Sequence, residues 1–326
     1  MIKILFNGFR HGHINALYKK AAASDIIEIS GCIEEDTDAR IAAQYNLGIS
    51  FSDKSYDEWL NTDIDAVAIG LAYGDRGEAI IKALRAGKHI ISDKPICTTV
   101  EQLEEIKKLS EEKDLKIVCM LDLRYLSQTL KAKEILDSGE LGEVRNIAFN
   151  GQHYIDYQNR PSWYFENGKH GGTINDLAIH GIDIVRMLTG LEFSKIDAAR
   201  VWNSYAHKHP NFKDSAIFMA RLENGAGVMA DTSYSAPSQA FSLPTYWEFR
   251  FWCEKGLLSF NYADSKITVY KEGQVSPLII NCGISPSDYL DDFKIELTNG
   301  RKMTQNILRS TKTALMIQQT ADGSEE

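Results

Sequence analysis

A chain of 326 residues is long for one domain and points to two. Its 44% hydrophobic and 25% charged residues are those of a soluble globular protein and exclude a disordered one. A net charge of -9 excludes a general nucleic-acid surface, which needs a basic stripe to displace counterions from phosphates.

Met1 to Phe6 runs straight into Asn7-Gly8, too short an apolar run for a signal peptide or a membrane span, so a cytoplasmic protein without membrane contact is expected. Ile2 to Phe6 reads as an apolar strand and Ile14 to Ala23 as a helix. Asp25 to Ile33 is a second strand ending on Glu34, Glu35 and Asp36, and Thr37 to Asn46 is again helical. Asp65 to Leu71 is a third strand, Arg76 to Ala86 a helix closed by Gly87, and His89 to Ser92 a fourth strand. Thr99 to Lys113, capped by Thr98 or Thr99, is an amphipathic helix before a fifth strand at Lys116 to Met120. Short apolar strands alternating with helices predict a parallel, Rossmann-like dinucleotide-binding domain over residues 1–121.

Such sheets bind ligands beyond the carboxyl ends of their strands, at Asn7 to Gly12, Glu34, Leu71 to Arg76 and Asp93 to Cys97. A dinucleotide fingerprint would put G-x-G-x-x-G after the first strand, so that pyrophosphate meets backbone and a helix N-terminus. Here Gly12 matches the third glycine, Asn7 and Phe9 hold the first two positions, and Gly8 lies between them. Arg10, His11 and His13 either compensate as side-chain donors to phosphate or stay at the surface. Glu34 can accept from a ribose diol and would repel a 2'-phosphate, and with no Arg nearby in sequence NAD is favoured over NADP; the adjacent acids also suit the start of the next helix. Asp93-Lys94-Pro95 ends the fourth strand abruptly and fixes Lys94 where it can reach a substrate hydroxyl or the nicotinamide region.

From Asp122 the pattern changes. Ser127 to Ser138 is a helix and Val144 to His153 a strand. Later strands fall at Phe193 to Trp202, Ser215 to Leu222, Gly225 to Ser233, Thr245 to Cys253, Gly256 to Tyr262 and Lys266 to Lys271. Turns at Glu223-Asn224-Gly225 and Glu254-Lys255-Gly256 make this a meander, and residues 122–326 are expected to form an α+β domain with a large, mostly antiparallel open sheet. Its outer face is expected to expose Trp202, Tyr246, Trp247 and Trp252 and to be covered in a homodimer or homotetramer. Ala321 to Glu326 reads as a frayed end.

Between the strands, Gly171 to Gly190 reads as one helix, with Asp176, His180 and Asp183 on a shared face and Ile174, Ile182, Val185 and Leu188 lining it. Arg124, Tyr125, His153, Tyr154, Arg160, Trp163 and Tyr164 are polar or aromatic groups suited to sugar rings and hydroxyls. His207 and His209, without a nearby carboxylate or Cys, do not make a metal site, and none is expected. Five scattered cysteines with no C-x-x-C read as small core residues.

Ala86 to Pro95, then Gly171-Gly172-x-x-x-Asp176-x-x-x-His180-x-x-Asp183, with Asp63 to Val67, Lys133 to Val144 and Leu222 to Ala226, resemble the Gfo/Idh/MocA family of glucose-fructose oxidoreductase and inositol dehydrogenase along almost the whole chain. The resemblance implies hydride transfer between a sugar, cyclitol or related polyol and a nicotinamide cofactor. It implies His180 as general base, Lys94 as the donor to the reacting oxygen, and Asp176 as the group that orients substrate or His180. It places Arg124, Tyr125 and the segment before Gly171 near substrate, and Gly8, Phe9, Arg10, His11, Gly12, Glu34, Leu71, Ala72, Arg76, Asp93 and Lys94 near cofactor. Three features depart from the family pattern: Asn7 and Phe9 in the glycine loop, Leu71-Ala72 with Arg76 where Thr-Pro and a His are usual, and Asp93 for the commoner Glu. Two further readings stay open: NAD held permanently for transient oxidation during elimination or glycoside cleavage, and a sugar-binding regulatory protein without cofactor.

Overall fold

A computed structural model of the chain describes residues 1–237, 247–285 and 287–323. Two compact units appear, and neither is continuous. The first takes Met1–Met120, Pro161–Gly171 and Tyr289–Thr311, and the second the remainder.

In the first unit, β1 (Ile2–Asn7), β2 (Ile27–Ile33), β3 (Ala66–Ile69), β4 (His89–Ser92) and β5 (Ile117–Cys119) form a parallel sheet in the order β2-β1-β3-β4-β5. β3 (Ala-Val-Ala-Ile) is an unbroken, fully buried apolar run and β4 buries Ile90 and Ile91 between His89 and Ser92, because a parallel sheet is covered on both faces. Between the strands run α1 (His13–Ala22), α2 (Thr37–Leu47), α3 (Tyr56–Leu60), α4 (Tyr73–Arg85) and α5 (Val100–Glu112). Caps set several boundaries: Asp36 accepts from Ala39 N at the start of α2, and Thr99 from Gln102 N at the start of α5. α3, missed from the sequence, is a five-residue helix with a Ser55/Glu58 capping box, too short for a periodic signal. α8 (Tyr289–Asn299) and the start of α9 (Lys302–Asp322) were also unforeseen. They cover the β5 edge, where Ile117 N donates to Thr304 Oγ1 at 3.0 Å.

The second unit holds α6 (Ser127–Asp137), β6 (Val144–Gln152), α7 (Ile179–Thr189), β7 (Phe193–Trp202), β8 (Ser215–Leu222), β9 (Gly227–Ser233), β10 (Trp247–Cys253), β11 (Gly256–Asn261), β12 (Lys266–Lys271) and β13 (Leu278–Asn281). Its sheet runs β13-β12-β11-β10-β6-β9-β8-β7, antiparallel except that β6 and β9 are parallel. The expected single meander is therefore two, β7-β8-β9 and β10 to β13, with β6 between them. Residues 234–246 join β9 to β10, too long a connection for the hairpin that would have paired them.

Inward residues of this sheet carry the core: Phe249 stacks with Phe149 and Phe260 at 5.7 and 5.2 Å, each buried ring contributing about 1.5–3 kcal/mol. The two-residue period corrects one expectation. Trp247 lies inward with Phe249 and Phe251 and is buried, whereas Trp252 is exposed with Glu248 and Arg250 between. Trp202 is on the exposed set as expected, and Tyr246 lies outside the described residues. α9 runs as far as Asp322, so Ala321 and Asp322 of the expected frayed end are helical, and residues 324–326 lie outside the described residues.

Candidate active site

The loop after β1 is the first place where sequence and structure differ in sense. Gly8 makes the turn at φ +89, and a Cβ there would lie 2.7 Å from Leu71 N, so this glycine is required by close approach to the loop after β3. Phe9, at the position that breaks the motif, turns its ring into the unit: it is buried against Phe6, Tyr18 and Phe51 at 6.0, 6.1 and 5.5 Å. The side chain therefore does not obstruct the loop's outer surface. Gly12 caps α1 with no side-chain cap and no acidic residue in the first turn, and a Cβ added there would meet nothing within 4 Å. An uncapped, open helix N-terminus after β1 fits the pyrophosphate of a dinucleotide.

Glu34 staples this loop from the end of β2. Its carboxylate accepts from Phe9 N at 2.5 Å and Asp36 N at 2.8 Å. Burial pushes its carboxyl up from the ordinary value, and the two backbone donors oppose that. Folding also brings an arginine that sequence distance had hidden: Arg10 pairs with Asp36 at 3.2 Å.

Arg76, read from the sequence as the first residue of a helix, sits in the first turn of α4, fully buried, with Nε on Leu71 O (2.8 Å), Nη1 on Lys94 O (2.5 Å) and Nη2 on Asp93 Oδ2 (2.8 Å). Asp93 in turn accepts from Lys94 N at 2.8 Å. Two departures from the family pattern are thus one buried ion pair that grips Lys94 by both its N–H and its C=O. His11 and His13 complete the cluster, each with Nδ1 on Asp93, at 2.7 and 2.9 Å. These are hydrogen-bond distances, shorter than the roughly 3.3 Å between two ligands of one tetrahedral ion, and the carboxylate already carries a guanidinium.

Trp163 and Tyr164, expected near substrate, are buried in the first unit. Trp163 Nε1 donates to Arg10 O at 3.3 Å, and the Tyr164 and Tyr73 hydroxyls lie 2.5 Å apart. Their segment crosses the loop after β3, where Gly74 N donates to Lys169 O at 2.8 Å. Tyr73, whose ring lies 4.5 Å from the Arg76 guanidinium and 5.7 Å from Lys94 Nζ, was missed because nothing marks a tyrosine at the start of α4.

In the second unit the predicted long helix is two pieces. Gly171 and Gly172 have φ of +77 and +95, which a helix cannot contain, so it begins after them with a π-helical turn, Ile174–Ala178, continuing as α7. A π turn alters the i, i+4 alignment assumed for Asp176 and His180, and such turns frequently mark functional positions. Both residues are buried. The Tyr234 hydroxyl, just past β9, donates to Asp176 Oδ2, a partner no sequence signal marks. His180 lies 5.6 Å from the Trp247 ring, whose Nε1 donates to His153 Nε2 at 3.2 Å. Arg124 is bound to Asp183 through Nε and, at 3.0 Å, through Nη2, so Asp183 serves the arginine. Tyr125 ends the short 3-10 turn that carries Arg124, Tyr154 is 36% exposed and bridges Ser235, and Arg160 donates to Ile155 O and Tyr154 O, both at 2.7 Å. The structure thus gathers Asp176, His180, His153 and Arg124 in the second unit, and Lys94, Arg76, Asp93, His11 and Trp163 in the first.

Residues 6–121 match the family model described as the oxidoreductase family with an NAD-binding Rossmann fold, and residues 129–259 match the GFO/IDH/MocA C-terminal domain. The chain belongs to the GFO/IDH/MocA family. It is 31% identical over 197 residues to scyllo-inositol 2-dehydrogenase (NAD(+)) of Bacillus subtilis, covering 59% of this chain and 55% of that one. Levoglucosan dehydrogenase of Pseudarthrobacter phenanthrenivorans is 29% identical over 170 residues, 51% of this chain and 42% of its own. The matches therefore span about half the length of these curated relatives. A solved levoglucosan dehydrogenase in complex with NADH superposes with a TM-score of 0.82 at 20% identity, covering 99% and 97% of the two chains, and shares the fold.

Proposed function

We propose that this protein is an NAD-dependent dehydrogenase that moves a hydride between a sugar, cyclitol or related polyol and the nicotinamide. The carrying observation is the buried Asp176 with His180 on the π-to-α segment of a chain of this family, together with a Lys94 whose backbone is fixed at both ends. When bound, the cofactor supplies the hydride acceptor. His180 takes the hydroxyl proton and Asp176, held by Tyr234, orients the reacting groups, while the role proposed for Lys94 is to stabilise negative charge developing on a substrate oxygen. The inward Phe9 and open α1 N-terminus remove the observation that favoured a protein without cofactor.

NAD rather than NADP is proposed because Glu34 and Asp36 place negative charge at the end of β2, and Asp36 already neutralises Arg10. All five cysteines are free, which suits a cytoplasmic protein. Among the described residues, no helix is long and apolar enough to cross a membrane.

The outer sheet face supports a homo-oligomer. Ile217, Met219, Met229 and Trp252 are 46 to 59% exposed, three of them beside a hollow of about 440 Å³. Arg200 and Arg250 alternate there with Asp231 and Glu248, a mixture that a two-fold axis can set against itself. Met229→Glu is expected to shift the mass measured by light scattering to the monomer.

The deciding experiment titrates pure protein with NADH and NADPH, then assays a panel of cyclitols and sugars with NAD. Saturable binding that favours NADH, and turnover abolished by His180→Ala, are expected; absence of binding to either nucleotide defeats the reading. Cofactor retained through purification without net reduction by any polyol would instead select the transient-oxidation chemistry.

A further inference from the structure

The segment that carries Asp176 and His180 starts without a cap of its own. Thr173 stands at the N-cap position of the π turn, but its hydroxyl donates to Lys213 O and caps nothing. The first backbone N–H groups of a helix have no partner within it, and Ile174, fully buried, cannot turn its own to water. A side chain 144 positions further on meets it: Gln318, buried on α9, accepts from Ile174 N through Oε1 at 3.0 Å. Its Nε2 donates to Asp322 Oδ1 at 2.9 Å, one turn along the same helix. An N–H on one side and a carboxylate on the other settle which end of the amide is the oxygen. Gly172 makes room for it, since a Cβ there would lie 2.2 Å from Gln318 Cδ.

The place of this contact matters because Ile174 is where the π register begins. Ile179 N donates to Ile174 O, five residues back, whereas Asp176 N donates to Gly172 O, four back. A π turn is rare because the α turn is the more favourable geometry, so its surroundings have to hold it. Closing it up to an α turn would rotate Asp176 by up to about 100° relative to His180, the advance per residue of an α-helix. Tyr234 could not follow, with its N–H on Asp214 O at 2.9 Å and its ring 5.3 Å from Phe212, and Asp176 would lose its hydroxyl donor.

We propose that Gln318 is a positioning residue of this enzyme: its amide pins Ile174 and so holds the π turn that sets Asp176 on Tyr234 and in register with His180. A neutral amide does this without bringing another negative charge to the segment of Asp176. The catalytic consequence rests on the dehydrogenase reading above; the anchor rests on the hydrogen bonds alone.

Gln318→Leu keeps the bulk and removes both hydrogen bonds. At a temperature where the variant is fully folded by circular dichroism, kcat per folded enzyme with a polyol and NAD is expected to fall about 10- to 100-fold, while the Kd for NADH stays at the wild-type value. A merely structural role would lower the melting temperature and leave kcat per folded enzyme unchanged. Gln318→Glu sets two carboxylates against each other and is expected to lose activity too. Combined with Asp322→Asn, whose amide can donate to the new carboxylate, it is expected to regain most of the wild-type kcat. Should Gln318→Leu not fold, these two variants carry the comparison, and equal kcat in both overturns the proposal. Hydrogen–deuterium exchange of the 172–180 amides needs no turnover: exchange up to about tenfold faster in Gln318→Leu is expected. Wild-type turnover with an unchanged kcat in folded Gln318→Leu overturns the proposal and leaves the dehydrogenase reading standing. A wild type that neither binds NADH nor turns over any polyol overturns that reading, and unchanged exchange in Gln318→Leu then overturns the anchor as well.

Discussion

The loop after β1 and the turn before α7 deviate from the sequence reading in opposite directions. In the first, the residues break a motif and the backbone keeps its course, because Phe9 rotates into an aromatic cluster and Gly8 alone makes the turn. In the second, the residues fit an ordinary helix and the backbone departs from it, through two left-handed glycines and a π turn that carries Asp176. A motif locates a site. Packing decides which way its side chains face.

That contrast can be broken most severely at Asp93. Asn in its place leaves the fully buried Arg76 without a counter-charge, and about 3–5 kcal/mol of stability is expected to go, measured by urea unfolding. Arg76→Met is expected to lose less, because the His11 and His13 Nδ1 atoms still hydrogen-bond the carboxylate. Equal losses would show that these two hydrogen bonds do not sustain the carboxylate without the guanidinium. Next comes Phe9→Gly, which moves the loop toward the family pattern. Loss of a ring packed on Phe6, Tyr18 and Phe51 is expected to destabilise by about 3–5 kcal/mol. A variant as stable as wild type would mean that Phe9 faces outward.

In the second region the sensitive position is Gly181, next to His180. A Cβ there would lie 2.1 Å from the Phe149 ring, so α7 sits on β6 only because this residue is glycine. Gly181→Ala improves helix propensity by about 1 kcal/mol yet is expected to destabilise by roughly 1–3 kcal/mol through overpacking. In the proposed enzyme it is also expected to lower kcat by displacing His180.

Legibility followed the reach of the interactions. The parallel sheet was plain because β1, β3 and β4 each bury a short apolar stretch, Ile4 to Phe6, Ala66 to Ile69 and Ile90-Ile91, between periodic helices, and the β8-β9 hairpin because Glu223-Asn224-Gly225 is local turn chemistry. The insertion of β6 between β9 and β10 was not, since pairing over about 80 residues leaves no local mark. At the candidate site, Lys94, Asp176 and His180 could be named from residue type and spacing. Their partners could not: Tyr234 meets Asp176 across 58 positions, and His11 meets Asp93 across 82. One signal was available and unread. Arg76 and Asp93 stand at two altered motif positions and carry opposite charges, which suggests a pair before any coordinates exist.

The smallest expected effect tests whether the β1 loop is tied down by a neutral histidine. Burial holds His11 at about 4 in the folded chain, against about 6.5 when unfolded. Between those values the unfolded chain binds the proton and the folded one does not, so stability rises with pH across the window and is lost as pH falls below about 6.5. From pH 7.5 to 5.5 this one group is expected to remove about 1.4 kcal/mol. His89, also lowered by burial, contributes in the same direction, so the informative quantity is the difference between wild type and His11→Asn. Asparagine keeps a donor for Asp93 and does not titrate, so its stability is expected to fall less steeply over the window. Identical slopes would place the His11 proton on the imidazole in both states. The first region would then be held by an ion pair from His11 as well as Arg76, and the Asp93 variant would have to be read as the loss of two charges' partner at once.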